Sequence, residues 1–186
     1  MSSEPVITLS VDEVMAALRH SHERLVSCLA ALPDEQADAP SYADEWSIAQ
    51  VASHLGSGAE IFTLFLEAGS RGEPAPGLEQ MQPIWDRWNA KGAPEQVHNA
   101  VAADASFLGR LAALGDAERQ EWRLDLFGGK QDLATVLRLR LGEHAMHTWD
   151  IAVALDATAT VPADAVGLLV DTLEGLVARV AKPVGG

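Results

Sequence analysis

Cysteine is almost missing from this sequence: Cys28 is the only one in 186 residues. No intramolecular disulfide can form, so the fold has to be held by packing, which suits a reducing compartment. Basic residues are scarce too. Thirteen Lys and Arg stand against 27 Asp and Glu, a net charge of −14. That balance excludes the clustered cations that neutralise nucleic-acid phosphates, and it disfavours an anionic membrane surface. No apolar run approaches the roughly 20 residues that span a bilayer. The stretch from Met1 to Leu9 lacks the basic region and following apolar run of a secretion signal. Internal repeats, low-complexity tracts and a clear linker are missing as well. The expectation is a soluble, cytoplasmic protein with a single domain over residues 1–186, long enough to bury a full core.

What the sequence does have is helical periodicity. Ser10 and Glu13 make a capping box for a helix expected to run to about Leu32, where Pro33 stops it. Val11, Val14, Met15, Leu18, Leu25, Leu29 and Leu32 form its apolar stripe. After a polar loop to Trp46, Ser47 and Gln50 form a second capping box, and the next helix runs to about Ala68. The Gly- and Pro-rich stretch from Gly69 to Gly77 ends it. Leu78 to Lys91 reads as a short helix carrying Trp85 and Trp88. Pro94 sits in the first turn of another helix, to about Leu114, with Val97, Val101, Phe107, Leu108 and Leu111 inward. Trp122, Leu124 and Leu126 alternate with polar residues ahead of Gly128-Gly129, a short extended segment. Asp132 is the N-cap of a helix to about Leu155, and Pro162 with Asp164 opens a last one to about Ala181, with Val166 on its apolar face. The fold class is all-α: a four-helix bundle with an additional C-terminal helix and short irregular connections.

The chemistry concentrates in two helices. His54 lies about two turns into the second, with Ile48, Val51 and Leu55 on its general side, so it points partly inward. It is either a core histidine bonded to a carbonyl or a ligand. In the fourth long helix Glu143 and His147 stand four apart on one face, with Arg140 three before Glu143. On a surface this is an ordinary charged ladder worth only ~0.3–0.5 kcal/mol. Leu137, Leu141, Met146 and Ile151 argue that the helix is buried on much of its circumference, and buried charges need a partner. A metal, or His54, would provide one. Nitrogen and oxygen donors from two bundle helices suit zinc or another first-row divalent ion, and three of them leave a coordination position open. His20, His22 and His98 are expected to face solvent. Trp85 and Trp88 read as core or lid packing, with substrate stacking as the alternative, and Asp125 with the Gly128-Gly129 turn as a border of the pocket.

The stretch from Glu45 to Leu55 (Glu-Trp-Ser-Ile-Ala-Gln-Val-Ala-Ser-His-Leu) and that from Glu143 to Ala152 (Glu-His-Ala-Met-His-Thr-Trp-Asp-Ile-Ala) resemble the two signature segments of the mycothiol-dependent maleylpyruvate isomerase family, in the DinB-like superfamily of metal-binding bundles. The order of helices resembles that family over nearly the whole chain. The resemblance implies a metal, typically zinc, held by His54, Glu143 and His147, with His144 facing away. It implies mycothiol as the small-molecule thiol and a small electrophilic substrate as its target, in a transferase or isomerase reaction. Arg140 would orient Glu143 or an anionic substrate group. Asp150, three after His147, would accept the outer imidazole proton, or else cap a loop or sit on the helix surface. Enzymes of the family carry a further small C-terminal α/β domain that contributes a basic residue near the active site. That domain would begin where this chain reaches Lys182 to Gly186, and the expectation is that it is absent. A metal-dependent hydrolase and a non-catalytic metal-binding stress-response bundle share the same ligand set and stay open, as does a homodimer.

With an exogenous thiol as nucleophile, Cys28 is a small core residue of the first helix and has no catalytic duty. Cys28→Ser is expected to keep most of the activity with a modest loss of stability. Turnover measured beside a circular-dichroism melt checks this, and loss of turnover in a folded variant would reassign the nucleophile.

Overall fold

The structure is a computed structural model that describes residues 10–43 and 45–170. Among these residues seven helices and one hairpin follow in order: α1 (Val11–Ala30), a 3-10 turn (Asp34–Gln36), α2 (Ile48–Arg71), α3 (Leu78–Asn89), α4 (Ala93–Ala112), α5 (Asp116–Glu121), β1 (Arg123–Leu126), β2 (Gly129–Asp132), α6 (Leu133–Leu155) and α7 (Ala163–Leu169). The four long helices α1, α2, α4 and α6 form the bundle. α2 packs most extensively on α4 and α1 on α6, while α1 with α4 and α2 with α6 close the ring. Two opposite pairs, α4 facing α6 and α1 facing α2, therefore look at each other across the centre. Among the described residues no helix is long and apolar enough to cross a membrane.

The ends of the helices follow local chemistry. Ser47 caps α2 as expected, accepting from Gln50 N at 3.2 Å while Gln50 Oε1 accepts from Ser47 N at 2.8 Å. Asp132 caps α6 through Thr135 N at 2.8 Å. Ser10 differs: its backbone is extended at the N-cap, but its side chain makes no capping bond. Asp12 and Glu13 still place negative charge in the first turn, where the helix dipole favours it. α1 stops at Ala30 rather than Leu32 because a residue before proline avoids the helical region. α2 overruns Gly69 and ends at Gly72, whose φ of 66° supplies the left-handed cap. Gly69 instead admits the Trp122 indole, and a Cβ there would lie 2.1 Å from Trp122 Cε2.

The extended segment gains a partner. β1 and β2 pair antiparallel, Leu124 opposite Gln131 and Leu126 opposite Gly129. Phe127 (φ 56°) and Gly128 (φ 81°) make the two-residue turn, the doubly positive geometry that matches strand twist. Of the last helix only Ala163–Leu169 is described, and the expected continuation to Ala181 lies outside the described residues. There Ala165 is buried and Val166, expected inward, is 43% exposed.

The core falls into two apolar clusters. Leu18, Leu66, Phe107, Leu111, Trp122, Leu137 and Leu141 belong to one. Leu25, Leu29, Ile48, Val51, Leu55, Trp88, Val97 and Ile151 belong to the other. Trp88 is a wall of the second cluster, not an open stacking surface: its Nε1 donates to Glu60 Oε1 at 2.8 Å. Its ring lies on Gly56, where a Cβ would meet Trp88 Cη2 at 2.2 Å. Gly56→Ala has no room in a packed interior and is expected to destabilise the bundle by about 2 kcal/mol, although alanine is the better helix former. Urea unfolding at neutral pH measures it.

Candidate metal centre

Three side chains meet at the seam of α2 and α6. His54 Nε2 lies 3.1 Å from Glu143 Oε2, and His147 Nε2 lies 3.7 Å from the same oxygen. One ligand atom from each residue falls within 4.8 Å of the others. The local reasons are simple. The Ser47–Gln50 box sets the start of α2, so His54 emerges two turns on, and Glu143 and His147 are neighbours on one helical face by their i, i+4 spacing. The cluster is on the rim of the bundle, with the Glu143 side chain 53% and His54 35% exposed. One side is therefore open to solvent.

Glu143 and His147 are each held in a form that suits coordination. The hydrogen bond from His54 is the main reason that Glu143 lies below the usual carboxylate range. Partial burial opposes it, and the positive fields of His54, His147 and Arg140 reinforce it. Asp150 Oδ2 lies 2.9 Å from His147 Nδ1. The carboxylate accepts that N–H, which leaves the Nε2 lone pair directed at the cluster. Two imidazoles and a carboxylate form a donor set that fits zinc or another first-row divalent ion.

An aromatic wall flanks the rim and was not anticipated from sequence. Trp46 stacks on the His147 ring at 5.9 Å and 26° and lies 5.3 Å from the His54 ring. Its loop is tied down: Ser41 N donates to Trp46 O at 3.0 Å, and Tyr42 N donates to the Asp150 carbonyl at 3.2 Å. Asp150 thus orients His147 with its side chain and anchors the Trp46 loop with its backbone.

Arg140 is not where the spacing put it. Its side chain is 1% exposed, so it cannot meet an anionic substrate group, and it reaches Glu143 only through its field. The guanidinium Nη2 donates to Asp104 Oδ1 at 2.8 Å and to Leu55 O at 3.0 Å. Asp104, on α4, is a second residue whose place was not anticipated from sequence. Its second oxygen lies 3.0 Å from His144 Nε2 and 2.8 Å from His22 Nδ1. His144 Nδ1 in turn accepts from Ser21 Oγ at 2.7 Å. His144 faces away from the ligand cluster, fully buried. His22, expected in solvent, turns inward for Asp104, whereas His20 and His98 are exposed. Asp125 and the hairpin are remote: Asp125 borders a separate small hollow with Gly69, Gly72 and Lys130. Gly69 is fifteen residues along α2 from His54, roughly 22 Å at helical rise.

Burial alone would raise the pKa of Asp104, but His144, His22 and the Arg140 guanidinium more than offset it and hold the carboxyl well below the usual range. Burial pushes His144 down, against the pull of Asp104, so its ring stays neutral. Cys28 is half-buried, and burial raises its thiol above the ordinary value, with Arg24 opposing.

Fold and site together define a class: a four-helix bundle with a His–Glu–His cluster at the seam of two long helices. Residues 18–152 match the family described as "Mycothiol maleylpyruvate isomerase N-terminal domain", and the chain belongs to that family. Crystal structures of the mycothiol-dependent maleylpyruvate isomerase, and of a histidine-to-alanine mutant of it, superpose with a TM-score of 0.71 at 14% sequence identity. The match covers 87% of this chain and 68% of that one. Comparison with curated proteins finds no match.

The Asp104 network carries a pH signature. Because its folded pKa is depressed, its stabilising contribution is complete above the ordinary aspartate value of about 4 and is lost as pH falls below it. Asp104→Asn is therefore expected to cost about 3 kcal/mol at pH 7, as for breaking a buried pair, and less at pH 3. Urea unfolding of both proteins at the two pH values gives the comparison, and an equal cost at both would refute the linkage.

Proposed function

We propose that the chain is a divalent-metal-dependent thiol transferase or isomerase, with mycothiol as co-substrate and a small electrophile as its target. The observation that carries this reading is the convergence of His54, Glu143 and His147 on one open-sided point, with His147 already oriented by Asp150. A divalent ion at that point lowers the pKa of a thiol reaching its open side, so that thiolate is available at neutral pH. The family to which the chain belongs supports mycothiol as that thiol, and zinc as the metal is supported by the donor set.

The protein's own residues have separable duties. Glu143, ionised at neutral pH, provides the negative charge that a divalent ion requires. Asp150 keeps the proton of His147 on Nδ1 and the ring in one orientation, a positioning role. Trp46 closes one flank of the rim with an apolar face, so that reactants approach from the remaining open side. The reaction is addition: a bond forms between the thiol sulfur and the electrophilic carbon as that carbon's π bond breaks. The displaced electron pair goes to the neighbouring atom, and that atom takes a proton from solvent in place of the one the thiol gave up. The adduct is the product of a transferase. If the adduct rotates about its new single bond and then gives the added proton back to solvent, the π bond re-forms as the S–C bond breaks, the thiolate takes a proton to return thiol, and the outcome is isomerisation.

Two measurements test this. Elemental analysis of protein prepared without chelator is expected to find about one divalent ion per chain, lost in His147→Ala together with at least about 100-fold of activity. The variant should remain a folded bundle, because the two apolar clusters do not use the ligands, and each well-buried aliphatic side chain contributes about 1.5–3 kcal/mol. Electrophile turnover is expected to require added mycothiol or a close analogue. Equal turnover in thiol-free buffer would move the assignment to a hydrolase, in which the ion activates water.

A further inference from the structure

The ligand cluster joins two helices that touch each other only sparsely, since α2 is packed mainly on α4 and α6 mainly on α1. Something other than broad apolar contact has to set their separation at the level of the ligands. Besides the contact between the ligands His54 and Glu143 themselves, the polar tie between the two helices there is Arg140. Its Nη2 donates to the carbonyl of Leu55, the residue after His54, and Arg140 itself lies one turn before Glu143. The guanidinium is held from the far side of the bundle by Asp104 at 2.8 Å and flanked by the rings of Phe62 and Phe107 at 5.8 and 6.0 Å. α2 makes space for it with a glycine: a Cβ on Gly58 would lie 2.8 Å from Arg140 Nη1. That nitrogen ends a flexible side chain, but it cannot retreat without breaking the bonds to Asp104 and Leu55.

We propose that Asp104 and Arg140 are positioning residues for the metal centre: a guanidinium spacer, locked by Asp104 and admitted by Gly58, sets the distance between the helix bearing His54 and the helix bearing Glu143 and His147. Neither residue touches the ion or a reactant. Both act through the Leu55 carbonyl and the course of α6. The inference rests on the metal reading above, and it makes a claim beyond stability. A change at the spacer has to weaken metal binding even where it leaves the bundle folded, and it has to alter the ligand separation in metal-free protein as well.

Gly58→Ala is the sharpest probe, because a purely local view expects alanine to favour the helix. Co2+ titrated into the full-length metal-free protein, read by visible absorption and by competition with a chelator, gives affinity and coordination geometry. Gly58→Ala, and Asp104→Asn where it is folded by circular dichroism, are expected to bind Co2+ at least about tenfold more weakly than wild type, the scale of effect seen for supporting residues of metal sites. Their absorption bands should also be altered. Ser21→Ala, which loses only the bond to His144, is expected to melt earlier yet bind Co2+ within about twofold of wild type. Folded Gly58→Ala that binds like wild type overturns the inference, and so does Ser21→Ala that weakens Co2+ as much as Gly58→Ala. A wild type that binds no Co2+ refutes the metal reading instead. The spacer is then judged on metal-free crystal structures of wild type and Gly58→Ala, where an unchanged His54–Glu143 separation overturns it and a widened one supports it.

Discussion

Burying the carboxylate of Asp104 where the four long helices meet costs several kcal/mol unless its charge is answered on the spot. The structure answers it from every side: Arg140 and His144 come from α6, His22 from α1, and Ser21 completes the chain through His144. The Leu55 carbonyl of α2 shares the same guanidinium. All four helices therefore contribute to one hydrogen-bonded layer, and that layer lies between the two apolar clusters. On α1 it falls between Leu18 and Leu25, on α4 between Val97 and Phe107, and on α6 between Leu137 and Ile151. The apolar clusters supply most of the driving force for collapse, while the polar layer needs α4 with α6 to compensate its charge and α1 and α2 to complete its hydrogen bonds.

α6 is the helix that connects this layer to the rim. Arg140 and His144 point to the bundle axis, while Glu143, His147 and Asp150 occupy the adjoining stripe beside α2. The inner stripe is fully buried and the outer one is half-open, so two kinds of polar chemistry run side by side along a single helix. Inside, Arg140, Asp104, His144 and Ser21 answer one another, with only the Arg140 Nε left without a partner among them. Outside, the donors of His54, Glu143 and His147 face one another with solvent on one flank, which is the condition for an exchangeable ligand. Asp150 belongs to both the rim and the preceding loop, since its side chain holds His147 and its carbonyl holds Tyr42.

Much of this could be read from the residues. The apolar stripes located the long helices, Ser47 with Gln50 located the start of α2, and the i, i+4 pair with His54 named the cluster on the rim. Ends were less legible, because Gly69 looks like a stop signal and is in fact a notch for Trp122, a role that only a distant residue defines. Arg140 was misplaced because three residues before Glu143 is still about 60° around the helix from it, enough to turn a rim residue into a core one. Its partner left a trace that could have been followed. Asp104 interrupts the apolar stripe of α4 one step before Phe107, Ser21 and His22 interrupt that of α1, and Arg140 and His144 interrupt that of α6. Three interruptions at matching depth mark a polar layer, although which residue meets which is a matter of tertiary contact and not of spacing. Trp46 left no comparable trace, since its ring is positioned by a loop whose path depends on Asp150, over a hundred residues away.

Helices rich in alanine and leucine can usually slide past one another by a turn and find a second packing nearly as good as the first. Here the polar layer denies that freedom. Moving α6 by one turn, about 5.4 Å, would put Val136 and Arg140, or His144 and Thr148, in the places of Arg140 and His144, so that Asp104 loses one of its two α6 partners and the bond to the Leu55 carbonyl is broken or remade. The apolar faces would tolerate either arrangement, but the charge would not. The bundle is in this sense indexed, like a shaft with a keyway: one alignment gives Asp104 both of its α6 partners.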